Sequence, residues 1–536
     1  MSYRKYFLVL TYIISFSAIA NSYYINSETG NNNNDGSSPT SAWKTLDRVS
    51  QVHFKAGDQI LLATGLEYFG SLVLKSQKGT LKRPILISSY KYNNSEKQPH
   101  INATGYLNGI LIIDSSHITV RGLSISANGG NENPIKGMRC GILYKSETTG
   151  DYKNIIIENC IVRNIFFENP GFQRGEKEIK TANGTQNYGW GIRFLVKKSA
   201  TLKKITIQNN TIENVAHTGI KINGSIRDLK LINNTVYKTG GPGVQMSGIV
   251  NGHVKENTIN YSGSKDDSRK WGRGSGLWTW GCDKILIEHN RFKNANGPAD
   301  SAGCHIDFNC SNIVIQYNVS ENNAGGFCEI LGNNYNCAYR YNVSINDGHR
   351  VKRKGIAFQE GKIFWLSGFV GKKRKRHGPY NTYFYNNTIY VKSEIEAKFA
   401  VSKVASGALL ANNIFYIEGD SKAVLGDQYQ PQEEGGATLK NIVFKNNVYL
   451  KSDNWPEAVL IQDTDPIYGN PKFSNLGGSK IKDYIPTNHH LIKNKGISIP
   501  NIPEDKRGLF IGLNVKKDIL GNRIKGLPDL GAIELQ

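Results

Sequence analysis

Between about residues 150 and 450 the chain repeats one phrase: a short alternating apolar strand that closes on asparagine, then a second short strand. The closures read Ile157-Glu158-Asn159, Ile207-Gln208-Asn209-Asn210, Ile232-Asn233-Asn234, Lys255-Glu256-Asn257 and Ile287-Glu288-His289-Asn290. They continue as Ile315-Gln316-Tyr317-Asn318, Arg340-Tyr341-Asn342, Tyr385-Asn386-Asn387, Asn412-Asn413 and Asn446-Asn447. Asn210, Asn234 and Asn257 follow at intervals of 24 and 23, Asn318 and Asn342 at 24, and longer gaps such as 257 to 290 leave room for loop insertions. A period in the twenties with two or three short strands per repeat is the signature of a solenoid. The Leu-spaced consensus of leucine-rich repeats is absent, and propeller blades need roughly 40 residues or more. The pattern therefore predicts an all-β chain folded as a right-handed parallel β-helix, one coil per repeat. Asparagine suits a fixed corner because it tolerates left-handed backbone geometry and its amide can bond to the asparagine above and below.

A further strand in each coil starts after glycine, over residues 191–195, 219–223, 243–247, 276–280, 303–307 and 325–329. Side chains alternate along a strand. One set, Ile192/Phe194, Ile220/Ile222, Val244/Met246, Leu277/Thr279, Cys304/Ile306 and Gly326/Cys328, belongs in the core. The other set holds Arg193, Lys221, Asn223, Gln245, Ser247, Trp278, Trp280, His305, Asp307, Phe327 and Glu329, and shares an outward face. With coils stacked ~4.8 Å apart, these residues form one patch about 25 Å long, expected to be open to water. On this count Asp307 and Glu329 occupy equivalent places on adjacent coils.

The ends differ from the repeats. Residues 22–60 carry the turn-rich stretch Gly30–Gly36 and a short helix predicted within Ser41–Val49, a cap for the first coil's apolar surface. The expected organisation is a leader over 1–20, an N-terminal cap with the first coils over 21–130, the main helix over 131–455, and an irregular C-terminal cap over 456–536. Arg4 and Lys5, the apolar run Tyr6–Ile19 and the exit Ala18-Ile19-Ala20 read as a secretory signal, too short for a membrane anchor. The protein is thus expected in the periplasm or outside the cell. Composition agrees with many strands and turns: 56 glycines but only 3 methionines in 536 residues. A mean hydropathy of −0.42 excludes a polytopic membrane protein. Lys and Arg total 66 against 44 Asp and Glu, a net charge of +22 that calls for a polyanionic partner. Export sets nucleic acid aside and leaves an acidic polysaccharide or oligosaccharide, met by a monomer. The 7 cysteines are an odd number and are expected as buried thiols acting as small hydrophobes.

The opening Tyr24-Ile25-Asn26-Ser27, Gly30-Asn31-Asn32, Asp35-Gly36 and Ala42-Trp43, the asparagine ladder and the closing Asp529-Leu530-Gly531-Ala532-Ile533-Glu534 resemble secreted bacterial pectate-lyase-like β-helix proteins. The resemblance covers nearly the whole mature chain and implies the fold. Within that group the chain is similar to enzymes acting on uronic-acid glycans such as ulvan, an oligosaccharide dehydratase or lyase among them. This similarity implies elimination chemistry.

The outward residues suit such a role. A uronic acid is acidic at C5, and removing that proton needs a base together with a cation that neutralises the carboxylate. Lys221 or His305 is the candidate base, and Arg193 or Arg350 the candidate neutraliser. Trp278, Trp280, Gln245, Arg273 and Arg350 are candidate sugar contacts, and the basic runs 269–273, 349–354 and 372–377 are candidate rims of the groove. Asp307 and Glu329, as paired carboxylates, would instead serve an inverting glycoside hydrolase. Together with Asp300 they could bind Ca²⁺, though no cofactor is required. A glycan-binding solenoid without catalysis is the third reading.

Overall fold

The computed structural model describes residues 20–127, 139–165, 189–263, 273–355, 357–424 and 439–536. The leader expected over 1–20 lies outside them, Ala20 apart. Strands stack in parallel into two sheets, one of 24 strands and one of 14, so each coil adds a rung to both. The smaller sheet climbs from Glu67–Phe69 to Ile467–Tyr468. In the larger sheet, long elements such as Ile220–Ile232 and Val244–Lys255 carry two faces of one coil, and the second turns its corner at Gly248.

The expected inward set is inside: Ile192, Phe194, Ile220, Ile222, Val244, Met246, Leu277, Thr279, Cys304, Ile306 and Cys328 are all buried. The seven cysteines are buried and unbridged, as small hydrophobes would be. At the first coil, strand Ser22–Ile25 pairs with Gln59–Ala63, and helix Leu46–Ser50 buries Leu46 and Val49. Trp43 stacks on Tyr23 at 5.1 Å beside it. At the far end Trp455 closes the core against Phe399 and Phe444, each 4.7 Å away between ring centres.

The last 40 residues do not sit over that end. They run back along the solenoid's flank: Asn336 donates to Asp505 at 2.8 Å, Arg340 to the Gly512 carbonyl at 2.7 Å, and Asn386 to the Asp529 carbonyl at 2.8 Å. Among the described residues no helix is long and apolar enough to cross a membrane.

The asparagine ladder is a continuous wire of amides. Nδ2 of Asn210, Asn234, Asn257, Asn290, Asn318, Asn342, Asn387 and Asn413 each donates to Oδ1 of the next member at 2.8–3.1 Å. The left-handed residue at this corner is the one before the ladder member. Positive φ occurs at Asn209, Asn233, Glu256, His289, Tyr317, Tyr341, Asn386, Asn412 and Asn446. The two properties expected of one asparagine are thus divided between neighbours, which explains the recurrent Asn-Asn pairs. The first of each pair takes the strained backbone and the second carries the wire.

Candidate functional site

Lateral pairing assembles one outer column, a side chain per coil: Leu111, Leu143, Arg193, Lys221, Gln245, Trp278 and His305. Next, Ala302 bridges Gly326 and Ile306 pairs with Ile330, both steps of 24 residues, so His305 lies beside Glu329. Trp365 follows Glu329. A second outward column runs through Asn223, Ser247, Trp280 and, by the same spacing, Asp307.

This register corrects one expectation. Glu329 is the neighbour of His305 rather than the equivalent of Asp307, because Gly325 and Gly326 stack on Ser301 and Ala302 and not on Gly303. Phe327 accordingly takes the place of Gly303 and turns inward, 5.6 Å from Tyr339 between ring centres.

Exposure is the second correction. The column lies on the outer face, yet Gln245, Ser247, Trp278, His305, Asp307, Glu329 and Arg350 are all buried, while Arg193, Lys221, Asn223 and Arg273 are half-buried. Trp280, at 40%, is the exposed member. Trp278 and His305 stack in parallel at 5.7 Å. Trp280 meets Phe308 edge-on at 6.0 Å, and Phe308 meets Phe369 at 5.9 Å, forming an aromatic lip beside Asp307.

The centre of the site is a turn under strain. Asp300 and Ser301 are consecutive non-glycine residues with positive φ, 45° and 68°. Such backbone costs of order 1–3 kcal/mol per residue and persists where its surroundings over-determine it. They do so here. Arg350 donates to the Asp300 carbonyl at 2.8 Å and to Gln359 Oε1 at 2.9 Å, and Gln359 Oε1 in turn accepts the Asp300 N–H. Ser301 N–H bonds to Ser275 Oγ at 3.1 Å, and that hydroxyl shares a 3.0 Å hydrogen bond with His305 Nδ1.

Arg350 and His305 therefore brace the turn from two sides. Neither is the solvent-facing group that the sequence suggested. Of the three basic runs, 269–272 lies outside the described residues, and the exposed parts of the other two are Val351–Lys354 and Lys372–Lys375.

The turn presents Asp300 to Arg273, with an ion pair of 2.9 Å. Asp307 takes the N–H of Phe308 at 2.8 Å. Burial, opposed by Arg273 and helped by the charge of Asp300, pushes Asp307 up to about 7. Burial pushes Glu329 well above the carboxylate range, with Asp300 and Asp307 adding to the effect and Lys362 and Arg350 opposing it. Its Oε1 is buried without a partner. Burial holds His305 down at about 4, so its ring is neutral at physiological pH. Lys362, 4.0 Å over the Trp365 ring, is lowered to about 7 by burial, with Glu329 pulling the other way.

The suggested Ca²⁺ trio of Asp300, Asp307 and Glu329 is not gathered for a metal. Among the described residues no three His, Cys, Asp or Glu side chains are, and Asp300 is turned to Arg273.

Sequence reasoning missed Ser275, Phe308, Gln359, Lys362, Trp365 and Phe369. A signal existed for two of them: Gly361-Lys362-Ile363-Phe364-Trp365 repeats the glycine-led strand one coil further on.

Gly325 makes the turn possible. A Cβ there would fall 1.7 Å from the Asp300 carbonyl oxygen. Gly325→Ala is expected to shift the Asp300 carbonyl and cost about 1–3 kcal/mol of stability. Denaturant midpoints check this, and an unchanged midpoint would mean that the turn does not depend on the missing Cβ.

A family model described as a right-handed β-helix region matches residues 190–389, the stretch that holds the whole column from Arg193 to Trp365. The solenoid is a right-handed parallel β-helix. The chain is 22% identical over 617 aligned positions to lacto-N-biosidase of Bifidobacterium longum subsp. longum, an alignment covering 96% of this chain and 36% of that protein. It thus spans about a third of the length of the curated relative it matches. The crystal structure of a GH136 lacto-N-biosidase from Eubacterium ramulus superposes with a TM-score of 0.52 at 20% identity, over 73% of this chain and 68% of that one. XylC in complex with xylose superposes with a TM-score of 0.53 at 11% identity, over 96% and 98% of the two chains. These superpositions establish the shared β-helix.

Proposed function

We propose that the chain hydrolyses glycosidic bonds in a poly- or oligosaccharide laid along its outer column, with Asp307 as the proton donor and Asp300 as its charged partner. The observation that carries this reading is the division between two neighbouring carboxyls. Asp300 is ion-paired with Arg273, whereas Asp307 is held up at about 7 and keeps its proton near neutral pH. A carboxyl that keeps its proton beside a second carboxyl ion-paired with arginine supplies the acid and its partner that glycoside hydrolysis uses. The lip of Trp280, Phe308 and Phe369 offers ring faces to a pyranose. Glu329, its carboxyl pushed well above the usual range by burial and its Oε1 without a hydrogen-bond partner, offers the same substrate a further polar contact. The similarity to a protein named for lacto-N-biose release supports the same class of reaction.

Elimination on a uronate glycan, ulvan among the candidates, is the second reading. It is favoured by Lys221, which burial and then the neighbouring charge of Arg193 lower to about 8. His305 does not serve it well. With its base strength reduced to about 4 and its Nδ1 engaged with Ser275, the imidazole is a poor proton acceptor.

One assay separates the readings. The protein is offered lacto-N-biose-bearing, xylose-bearing, uronic and sulfated oligosaccharides while reducing ends and near-ultraviolet absorbance are followed together. New reducing ends without absorbance support hydrolysis. Absorbance from a conjugated product supports elimination, and neither signal leaves a binder. The reading carries with it an exported, monomeric enzyme whose turnover survives chelation by EDTA.

The acid role also sets a pH profile. A raised carboxyl is protonated below its value and ionises above it, so kcat/KM is expected to hold below pH 7 and fall as pH rises through about 7. A profile still rising at pH 8 would remove Asp307 from that role.

A further inference from the structure

Arg193 and Lys221 sit side by side in the outer column, paired in register on adjacent strands. They are half-buried, and among the described residues neither has a carboxylate within ion-pair reach. Burial acts first on both, Arg193 adds its own positive charge to Lys221, and Cys140 beside Arg193 is a buried neutral thiol, so among the described residues no carboxylate offsets the pair. Two neighbouring cations taken partly out of water without a counter-ion are unfavourable unless an anion arrives to fill the gap. The pair is also held in position. The Arg193 guanidinium lies 4.2 Å over the Trp190 ring, whose centre is 4.8 Å from that of the His217 ring, tilted by 32°. Its Nε is buried without a hydrogen-bond partner, as is the Trp190 indole N–H. A flat guanidinium fixed on an aromatic face, with a donor edge left free, suits the planar oxygens of a carboxylate or the oxygens of a sulfate.

Unsatisfied polar atoms continue from this pair toward the acids. Gln245 and Trp278 are the two column positions between Lys221 and His305, and both carry a buried polar atom without a partner, Oε1 and Nε1. Native proteins leave few such atoms, and a row of them along one face marks where a ligand's hydroxyls belong. Three strand spacings, ~14 Å, separate Lys221 from His305, the reach of a short oligosaccharide.

We propose that Arg193 and Lys221 form an anion subsite of the groove, binding the carboxylate or sulfate of an acidic sugar unit while the rest of the glycan passes Gln245 and Trp278 to the Asp300–Asp307 pair. This rests on the reading that the groove takes a glycan, but not on the chemistry done at its far end.

The experiment titrates the full-length protein carrying Asp307→Asn, by calorimetry, with three size-matched ligands: an oligogalacturonate, a sulfated galacto-oligosaccharide and a neutral galacto-oligosaccharide. At least one acidic ligand is expected to bind ten-fold or more tightly than the neutral one, and which of the two does so identifies the anion. Adding Arg193→Ala or Lys221→Met is expected to erase that preference, with circular dichroism unchanged. Lys221→Met should also raise the melting temperature of the unliganded protein, because it removes an unbalanced charge. Should the variants fold poorly, the unsubstituted protein still decides, since galacturonate or sulfate should raise its melting temperature more than galactose does. Equal binding of acidic and neutral ligands, or a preference that survives both substitutions, overturns the subsite. Failure of Asp307→Asn to abolish turnover would remove the hydrolytic reading and leave the anion preference standing, so the two failures are distinguishable.

Discussion

Asp307→Asn is expected to lower kcat by about 10²–10⁴-fold, the range that a positioned general acid contributes. The substitution keeps the side chain's shape and its Oδ1, so the 2.8 Å bond from the Phe308 N–H survives while the transferable proton is lost. Stability separates this outcome from simple unfolding. The carboxyl's folded value, about 7, is raised above its ordinary one near 3.8, so the native state is penalised increasingly between about pH 4 and pH 7 and carries the whole penalty above that. Asparagine removes the penalty, so the variant should melt no lower than the parent at pH 7.5 while losing its activity. A variant that retained a tenth of parental kcat would sink the assignment. Asp300→Asn is expected to lose activity too, but with a lower melting temperature, because it strips Arg273 of its 2.9 Å partner.

The second large effect lies in the wire of amides. Asn318 donates from Nδ2 to the Ile287 carbonyl at 2.9 Å, the Gln316 carbonyl at 2.8 Å and Asn342 Oδ1 at 3.1 Å. Its Oδ1 accepts both the backbone N–H and the Nδ2 of Asn290, each at 2.9 Å. Alanine there would leave several buried donors and acceptors unsatisfied at once, so Asn318→Ala is expected to cost about 3–5 kcal/mol. The neighbouring left-handed position is the control. Asn233 is exposed, and its side chain donates one bond of 2.8 Å to Asn209, so Asn233→Ala should cost about 1–2 kcal/mol, mostly from backbone strain. Denaturant midpoints of the two variants give the comparison. Equal losses would mean that the buried wire contributes nothing special.

Much of the architecture could be read from the chain because a solenoid writes itself repeatedly. One asparagine closure is noise, whereas ten at compatible spacing define a coil, and alternation then sorts Ile220 and Ile222 inward from Lys221. The errors arose where the repeat was interrupted. Around Gly325 the corner carries two glycines, and counting from the first displaced Glu329 from its true neighbour His305. The segment that holds Arg350 and Gln359 is an insertion with no partner coil to calibrate it, so the bracing of Asp300 had no periodic trace. Burial was misread for a related reason. Alternation reports which side of a strand a residue occupies, but it cannot report how little of that side reaches solvent, as at Trp278 and His305.

The outer column also works as a ruler. Each coil contributes a single position at a fixed pitch, and neighbouring coils hold their places through backbone pairing rather than through the outward side chains. Exchanging the residue at one graduation, such as Gln245, therefore alters what is read at one point of a bound polymer without moving the marks on either side. Specificity in such a scaffold can drift one notch at a time while the machinery at the end of the scale stays put.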